Sequence, residues 1–171
     1  MRLTMPRVVK VNLTGSLKPG CNPKEVILKM LQLVTIKGGL GNVYEYVGPG
    51  AAALEVPARA TIANMGAEMG ATTSIFPADA QVKKFMTAQG RGDKYVEMLP
   101  DEDAEYDECI DINLSELEPL ISCPHQPDNV IPLKDAEKKR VQQVFIGSCT
   151  NASYSDIAKV ALVLQGRHVN E

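Results

Sequence analysis

Between Arg7 and Ala88 a short apolar, β-branched run gives way three times to a segment with helix-start signals. That alternation confines the chain to an α/β layered fold. The first run, Arg7 to Leu17, carries Val8, Val9, Val11 and Leu13 and is ended by Gly15. Asn22-Pro23-Lys24-Glu25 then reads as a helix start: a cap, a proline at the first position and a reciprocating glutamate. Val26, Ile27, Met30, Leu31 and Val34 recur at helical spacing before Gly38-Gly39. Val43 to Val47 is a second strand running into Gly48-Pro49-Gly50. Leu54 to Met69 reads as one helix, with Pro57 tolerated near its start. Thr72 to Phe76 is a third strand, and Asp79 caps a helix carrying Val82, Phe85 and Met86.

From Gly90 to Glu108 the chain is polar and acidic and reads as a solvated surface segment, and Cys109 to Leu114 as a further strand. Prolines 119, 124, 127 and 132 then describe an extended connector. Val141 to Ile146 is expected as a buried strand, Gly147 to Asn151 as a loop, and Ser153 to Gln165 as a helix. Ser153-x-x-Asp156 forms its capping box, and Ile157, Val160, Ala161 and Leu164 its apolar face. The expected organisation is therefore an α/β domain over 1–118, a proline-rich connector over 119–140, and the first β-α unit of a second such domain over 141–171.

A formal net charge of −3 and scattered basic residues give no reason to expect a nucleic-acid partner. No apolar run approaches the ~20 residues that span a bilayer, so no membrane partner is expected. Met1 to Pro6 lacks the apolar core of a secretory signal, and a cytoplasmic location is expected. Cys21, Cys109, Cys123 and Cys149 contain no C-x-x-C, which leaves neither a zinc ribbon nor a thioredoxin-like pair. His125 and His168 pair by spacing with no other ligand type and read as surface residues. Gly38-Gly39-Leu40-Gly41 lies between helix and strand, the wrong order for a dinucleotide phosphate, and reads as a turn.

Two segments carry more chemistry. On a helix, Asn64 and Glu68 stand at i and i+4, so amide and carboxylate could point into one cleft. Gly66 and Gly70 in the same stretch cost about 1 kcal/mol each relative to alanine, which a helix accepts where something must approach its backbone closely. A glycine packing face with a solvated glutamate explains the same spacing. Gly147-Ser148-Cys149-Thr150-Asn151 places a thiol between a strand and a capped helix, where helix amides would depress its pKa and favour metal binding or nucleophilicity. A buried inert cysteine is the alternative.

Ala60-Thr-Ile-Ala-Asn64-Met-Gly-Ala-Glu68-Met-Gly-Ala-Thr-Thr-Ser-Ile-Phe-Pro77 resembles a signature stretch of the aconitase family, and Gly147-Ser-Cys149-Thr-Asn-Ala-Ser-Tyr-Ser-Asp156 is similar to that family's first cluster-ligand motif. Val11 to Leu17, Pro23 to Lys29, Tyr46 to Gly50 and Ile112 to Leu117 follow in the family's order. Pro124-His-Gln-Pro-Asp-Asn-Val130 resembles the more compact bacterial or archaeal-type members.

The resemblance implies a three-layer α/β/α domain plus the opening of the next. It also implies a 4Fe–4S hydro-lyase of the tricarboxylic acid cycle that interconverts citrate and isocitrate through cis-aconitate. In such enzymes three Cys thiolates hold the cluster, and one open iron acts as a Lewis acid on the substrate hydroxyl and carboxylate. Cys149 matches the first thiolate ligand. Glu68 is expected to hydrogen-bond the water or hydroxyl at that iron, and Asn64 to support the cluster environment. The family's later C-x-x-C is missing, as are its substrate-binding histidines, aspartates and arginines and its serine base. The chain is thus expected to be an internal piece, inactive alone and without its cluster, whose partners are the remaining aconitase domains and whose apolar surface could dimerise. Isopropylmalate or homoaconitate dehydratases, and a noncatalytic aconitase-like binding module, are the alternatives.

Overall fold

The computed structural model describes residues 4–168 and divides into two compact units, Met1–Glu137 and Lys138–Glu171. In the first, strands β1 (Arg7–Thr14), β2 (Asn42–Val47), β3 (Thr73–Ile75) and β4 (Glu108–Asn113) form one parallel sheet in the order β3-β2-β1-β4. Helix α1 (Pro23–Val34) links β1 to β2, while α2 (Pro49–Ala53) and α3 (Val56–Asn64) lead from β2 toward β3. The α/β expectation holds.

Period-two alternation decides which sheet face is dry. Val9, Val11 and Leu13 of β1 stand in register with Tyr44, Tyr46, Ile110 and Ile112. They share one core with Val26, Ile27, Met30 and Leu31 of α1 and with Ile62, Met65 and Met69. Each fully buried side chain of this size contributes about 1.5–3 kcal/mol. Helix α1 starts as its sequence demands: Asn22 N–H donates to Glu25 Oε2 at 2.6 Å. The opposite face is polar. Asn12 Nδ2 donates to Asp111 Oδ1 at 2.7 Å, Tyr106 Oη donates to Glu45 Oε2 at 3.0 Å, and Lys10 Nζ lies 5.4 Å from the Tyr106 ring centre. Burial, together with the Glu45 carboxylate, pushes the Tyr106 phenol up to about 12. Helix α4 (Ala80–Ala88) buries no residue.

Arg59 anchors α4 to α3. Only 4% exposed, it donates to Leu54 O, Pro77 O and, at 2.7 Å, Asp79 Oδ2. Asp79 Oδ1 caps α4 by accepting from the amides of Gln81 and Val82.

The expected single helix over 54–69 is broken. Its last turn, Met65–Met69, is a 3₁₀ helix that ends at Gly70 with φ 75°. Gly38-Gly39-Leu40-Gly41 is the turn expected, and it packs on this segment: Gly39 N–H donates to Met69 O at 2.9 Å. A Cβ at Gly39 would lie 2.5 Å from Met69 O and 2.8 Å from Ala71 N, both backbone atoms that cannot swing aside. Gly39→Ala is therefore expected to lower stability by about 1–3 kcal/mol, read by urea denaturation, with a neutral result contradicting the packing.

Residues 119–140, expected as an irregular connector, form the antiparallel ribbon β5 (Leu120–Ser122) and β6 (Val130–Pro132), which packs on α1 through Gln32 Nε2 to Val130 O at 2.9 Å. In the second unit, helix α5 (Tyr154–Leu164) has the expected capping box: Asp156 N–H donates to Ser153 Oγ and Ser153 N–H to Asp156 Oδ2. The buried strand expected over 141–146 is not present. Val141, Val144 and Phe145 are 67%, 73% and 82% exposed. A strand is held by ladder partners, and this unit supplies one helix and no second strand among its described residues. The apolar positions of α5 are open as well, with Ile157 45% and Leu164 55% exposed.

Candidate functional site

Asn64 closes α3, and Glu68 sits within the 3₁₀ turn that follows. Four residues turn through about 400° in an α-helix, which leaves i and i+4 some 40° apart. In a 3₁₀ helix the same four residues turn through about 480°, an offset of about 120°. The i, i+4 argument from spacing therefore does not carry over. Both residues are exposed, as is Ala67, while Met65, Gly66 and Met69 turn inward.

Gly66 was read as a place of close approach, and it is one. A Cβ there would meet Ser74 Oγ at 2.6 Å. What comes close is a side chain of β3. Gly70 is a left-handed C-cap and not a mid-helix residue.

Cys149 belongs to the second unit and is exposed. The residue before it, Ser148, has φ 73°, a left-handed conformation that costs a serine about 1–2 kcal/mol. This turn presents the sulfur between two hydroxyls: Ser148 Oγ donates to Cys149 Sγ at 3.7 Å, and Thr150 Oγ1 lies 3.8 Å from it. Helix α5 follows this loop, and Ser153 and Asp156 form its capping box. The hydroxyls of the two neighbouring residues thus lie within reach of this sulfur.

The other thiols differ. Cys21 is half-buried and donates to Leu117 O at 3.5 Å, and burial, with Glu25 nearby, pushes its pKa up. His125 and His168 are exposed. Among the described residues, no three His, Cys, Asp or Glu side chains are grouped so as to hold a metal ion. The implied cluster needs three thiolates, so the donor chemistry fits Cys149 as one ligand and supplies no complete set.

Sequence reasoning missed Tyr46 and Ser74, whose buried hydroxyls lie on the sheet face beneath the 3₁₀ turn. Both sit in strands read only as apolar runs, and no spacing signal marks them.

A family model described as "Aconitase family (aconitate hydratase)" matches residues 1–171. The chain is 44% identical over 178 residues to "Aconitate hydratase, mitochondrial" of Gracilaria gracilis, covering 95% of this chain and 23% of that protein. The protein of the same name in Schizosaccharomyces pombe is 43% identical over the same shares. "Probable aconitate hydratase, mitochondrial" of Dictyostelium discoideum is 41% identical, covering 95% of this chain and 23% of its own length. The chain thus spans about a quarter of the length of these relatives. Their mitochondrial names overturn the cytoplasmic location expected from the N-terminal residues. A match along the whole chain, through both the Asn64–Glu68 stretch and the Cys149 loop, shows that this chain belongs to the aconitase family.

Proposed function

We propose that the chain contributes to an aconitate hydratase, the hydro-lyase that interconverts citrate and isocitrate through cis-aconitate. In this reading Cys149 supplies one thiolate to a 4Fe–4S cluster, and Asn64 and Glu68 line the same centre. The observation that carries it is the Cys149 loop: an exposed sulfur between two hydroxyls, turned out by a left-handed Ser148, inside a family motif.

When bound, the cluster supplies Lewis-acid chemistry at an iron left open by its three thiolates. The chain's own residues supply the rest. The Ser148 hydroxyl donates to the sulfur and so favours the thiolate that a ligand requires. The Glu68 carboxylate, exposed on its turn, can accept or hold the proton of the water that leaves or adds. The exposed Asn64 amide carries both a donor and an acceptor.

One thiolate does not retain a cubane cluster. Anaerobic incubation of this 171-residue chain with iron and sulfide, followed by desalting, is expected to leave it colourless and without hydratase activity. A stable brown, cluster-loaded monomer would defeat the ligand count.

A further inference from the structure

Beneath the turn that carries Glu68 lies the buried Ser74 hydroxyl, with the buried Tyr46 hydroxyl beside it. Tyr46 is fully buried, and its Oη has the Ser74 hydroxyl as its polar neighbour; neither hydroxyl meets a second partner at full hydrogen-bond geometry among the described residues. Tyr44, the neighbouring tyrosine on this face, does find one, donating to Gly38 O at 3.3 Å. Ser74 stands in register with Tyr44, so Ser74 and Tyr46 face the same side of the sheet. The Tyr46 ring stacks on Phe76 with centroids 4.8 Å apart, which fixes its plane. Phenylalanine and alanine together would pack these two positions without desolvating a hydroxyl, and replacing both members of a buried polar pair by apolar groups is nearly neutral.

The feature that gives the hydroxyls a use is Gly66. A side chain at Gly66 would come within 2.6 Å of Ser74 Oγ, so the serine hydroxyl fills the space that the missing side chain leaves under the 3₁₀ turn. That turn is thin, with its inner side Met65, Gly66 and Met69 and its outer side Ala67 and Glu68. Whatever sets the height of Gly66 above the sheet also sets where the Glu68 carboxylate stands.

We propose that Ser74 and Tyr46 are positioning residues for Glu68, acting through the backbone of the Met65–Met69 turn at Gly66. The inference rests on the role proposed for Glu68. Neither hydroxyl touches substrate. Their work is to hold the turn at one height, and outer-shell partners of this kind are worth about 10–100-fold in activity.

The test has two arms. In the full-length enzyme, Ser74→Ala, Tyr46→Phe and the double variant are each expected to lower kcat about 10-fold with KM held within about twofold, while the double variant, which removes both hydroxyls of the pair, keeps its thermal midpoint nearly level. A purely structural role predicts the reverse, a changed midpoint with kcat intact, and that result overturns the proposal. Glu68→Gln, assayed alongside, tests the underlying reading on its own. Full activity there removes Glu68 from the chemistry whatever Ser74 does. In the second arm, amide hydrogen exchange on the 171-residue chain compares Gly66–Gly70 with the β1 strand. Both single variants are expected to change exchange rates in the turn and leave Val9, Val11 and Leu13 unaltered. Unchanged exchange at Gly66–Gly70 sinks the proposal even if Glu68 proves essential.

Discussion

Cys149→Ser in the full-length enzyme is expected to abolish cluster retention and lower hydratase activity by about 10³-fold or more. An open metal acting as Lewis acid is worth several kcal/mol of transition-state stabilisation, and each 1.36 kcal/mol is tenfold in rate. Serine matches cysteine in size at an exposed position, so the fold should be spared. Serine lacks the thiolate on which cluster binding depends. Visible absorption after anaerobic purification, read beside circular dichroism, separates the outcomes. Loss of colour with an unchanged fold is the expected pair. A variant that keeps its absorption and its turnover would remove Cys149 from the ligand set. Ser148→Ala offers a graded companion: it removes the donor 3.7 Å from the sulfur, and the expected loss is about 10-fold in cluster affinity.

Arg59→Leu is expected to destabilise the first unit by about 3 kcal/mol. The guanidinium is nearly buried and donates at once to Leu54 O, Pro77 O and Asp79 Oδ2. Removing it strands two carbonyls and leaves a mostly buried carboxylate without its counter-charge, a change that costs 3–5 kcal/mol at a fully buried pair. Asp79 is partly open, with a side chain 18% exposed, which places the figure at the lower end. The pair also predicts a pH dependence. Burial alone would raise the Asp79 carboxyl, but the Arg59 guanidinium and the amides of Val82 and Gln81 outweigh it and hold the carboxyl below its ordinary value. A folded pKa below the unfolded one contributes stability that is full above the unfolded value of about 3.9 and is lost as pH falls through the folded value. Urea midpoints measured from pH 7 downward should decline below about pH 4 in the wild type, and Arg59→Leu should flatten that decline. An Arg59→Leu chain as stable as the parent at pH 7 would refute the ion pair's role.

The parallel sheet was legible because local patterns agreed with one another. The β-branched run at Val8–Leu13, the Asn22–Glu25 cap and the apolar stripe of α1 each specified its element alone. The capping box of α5 was legible for the same reason, being complete within four residues. What the sequence hid depends on long-range contacts. The switch from α-helix to 3₁₀ at Met65 lies where Gly39 and Ser74 approach the turn from elsewhere in the chain. The Arg59–Asp79 pair was invisible because Asp79 already had a sufficient local explanation as a cap. Val141–Ile146 has strand composition, yet composition supplies no ladder partner, and the segment stays open. The Cys149 loop was legible as a motif, while the two hydroxyls beside its sulfur come from the geometry of the turn.

The strand order also carries a timetable. Strand β1 lies at the centre of the sheet, but its partner β4 arrives 99 residues later in the chain, as the pairing of Asn12 with Asp111 records. At a synthesis rate of about 5–20 residues per second, β1, β2 and β3 can assemble on the ribosome about 2–8 s before β4 is complete, the time taken to add the stretch from Ile75 to Asn113. During that interval the future middle of the sheet is an unpaired edge, open to any extended neighbour. The acidic, solvated stretch that separates β3 from β4 thus acts as a delay line, and the nascent chain is most in need of protection while it is being made.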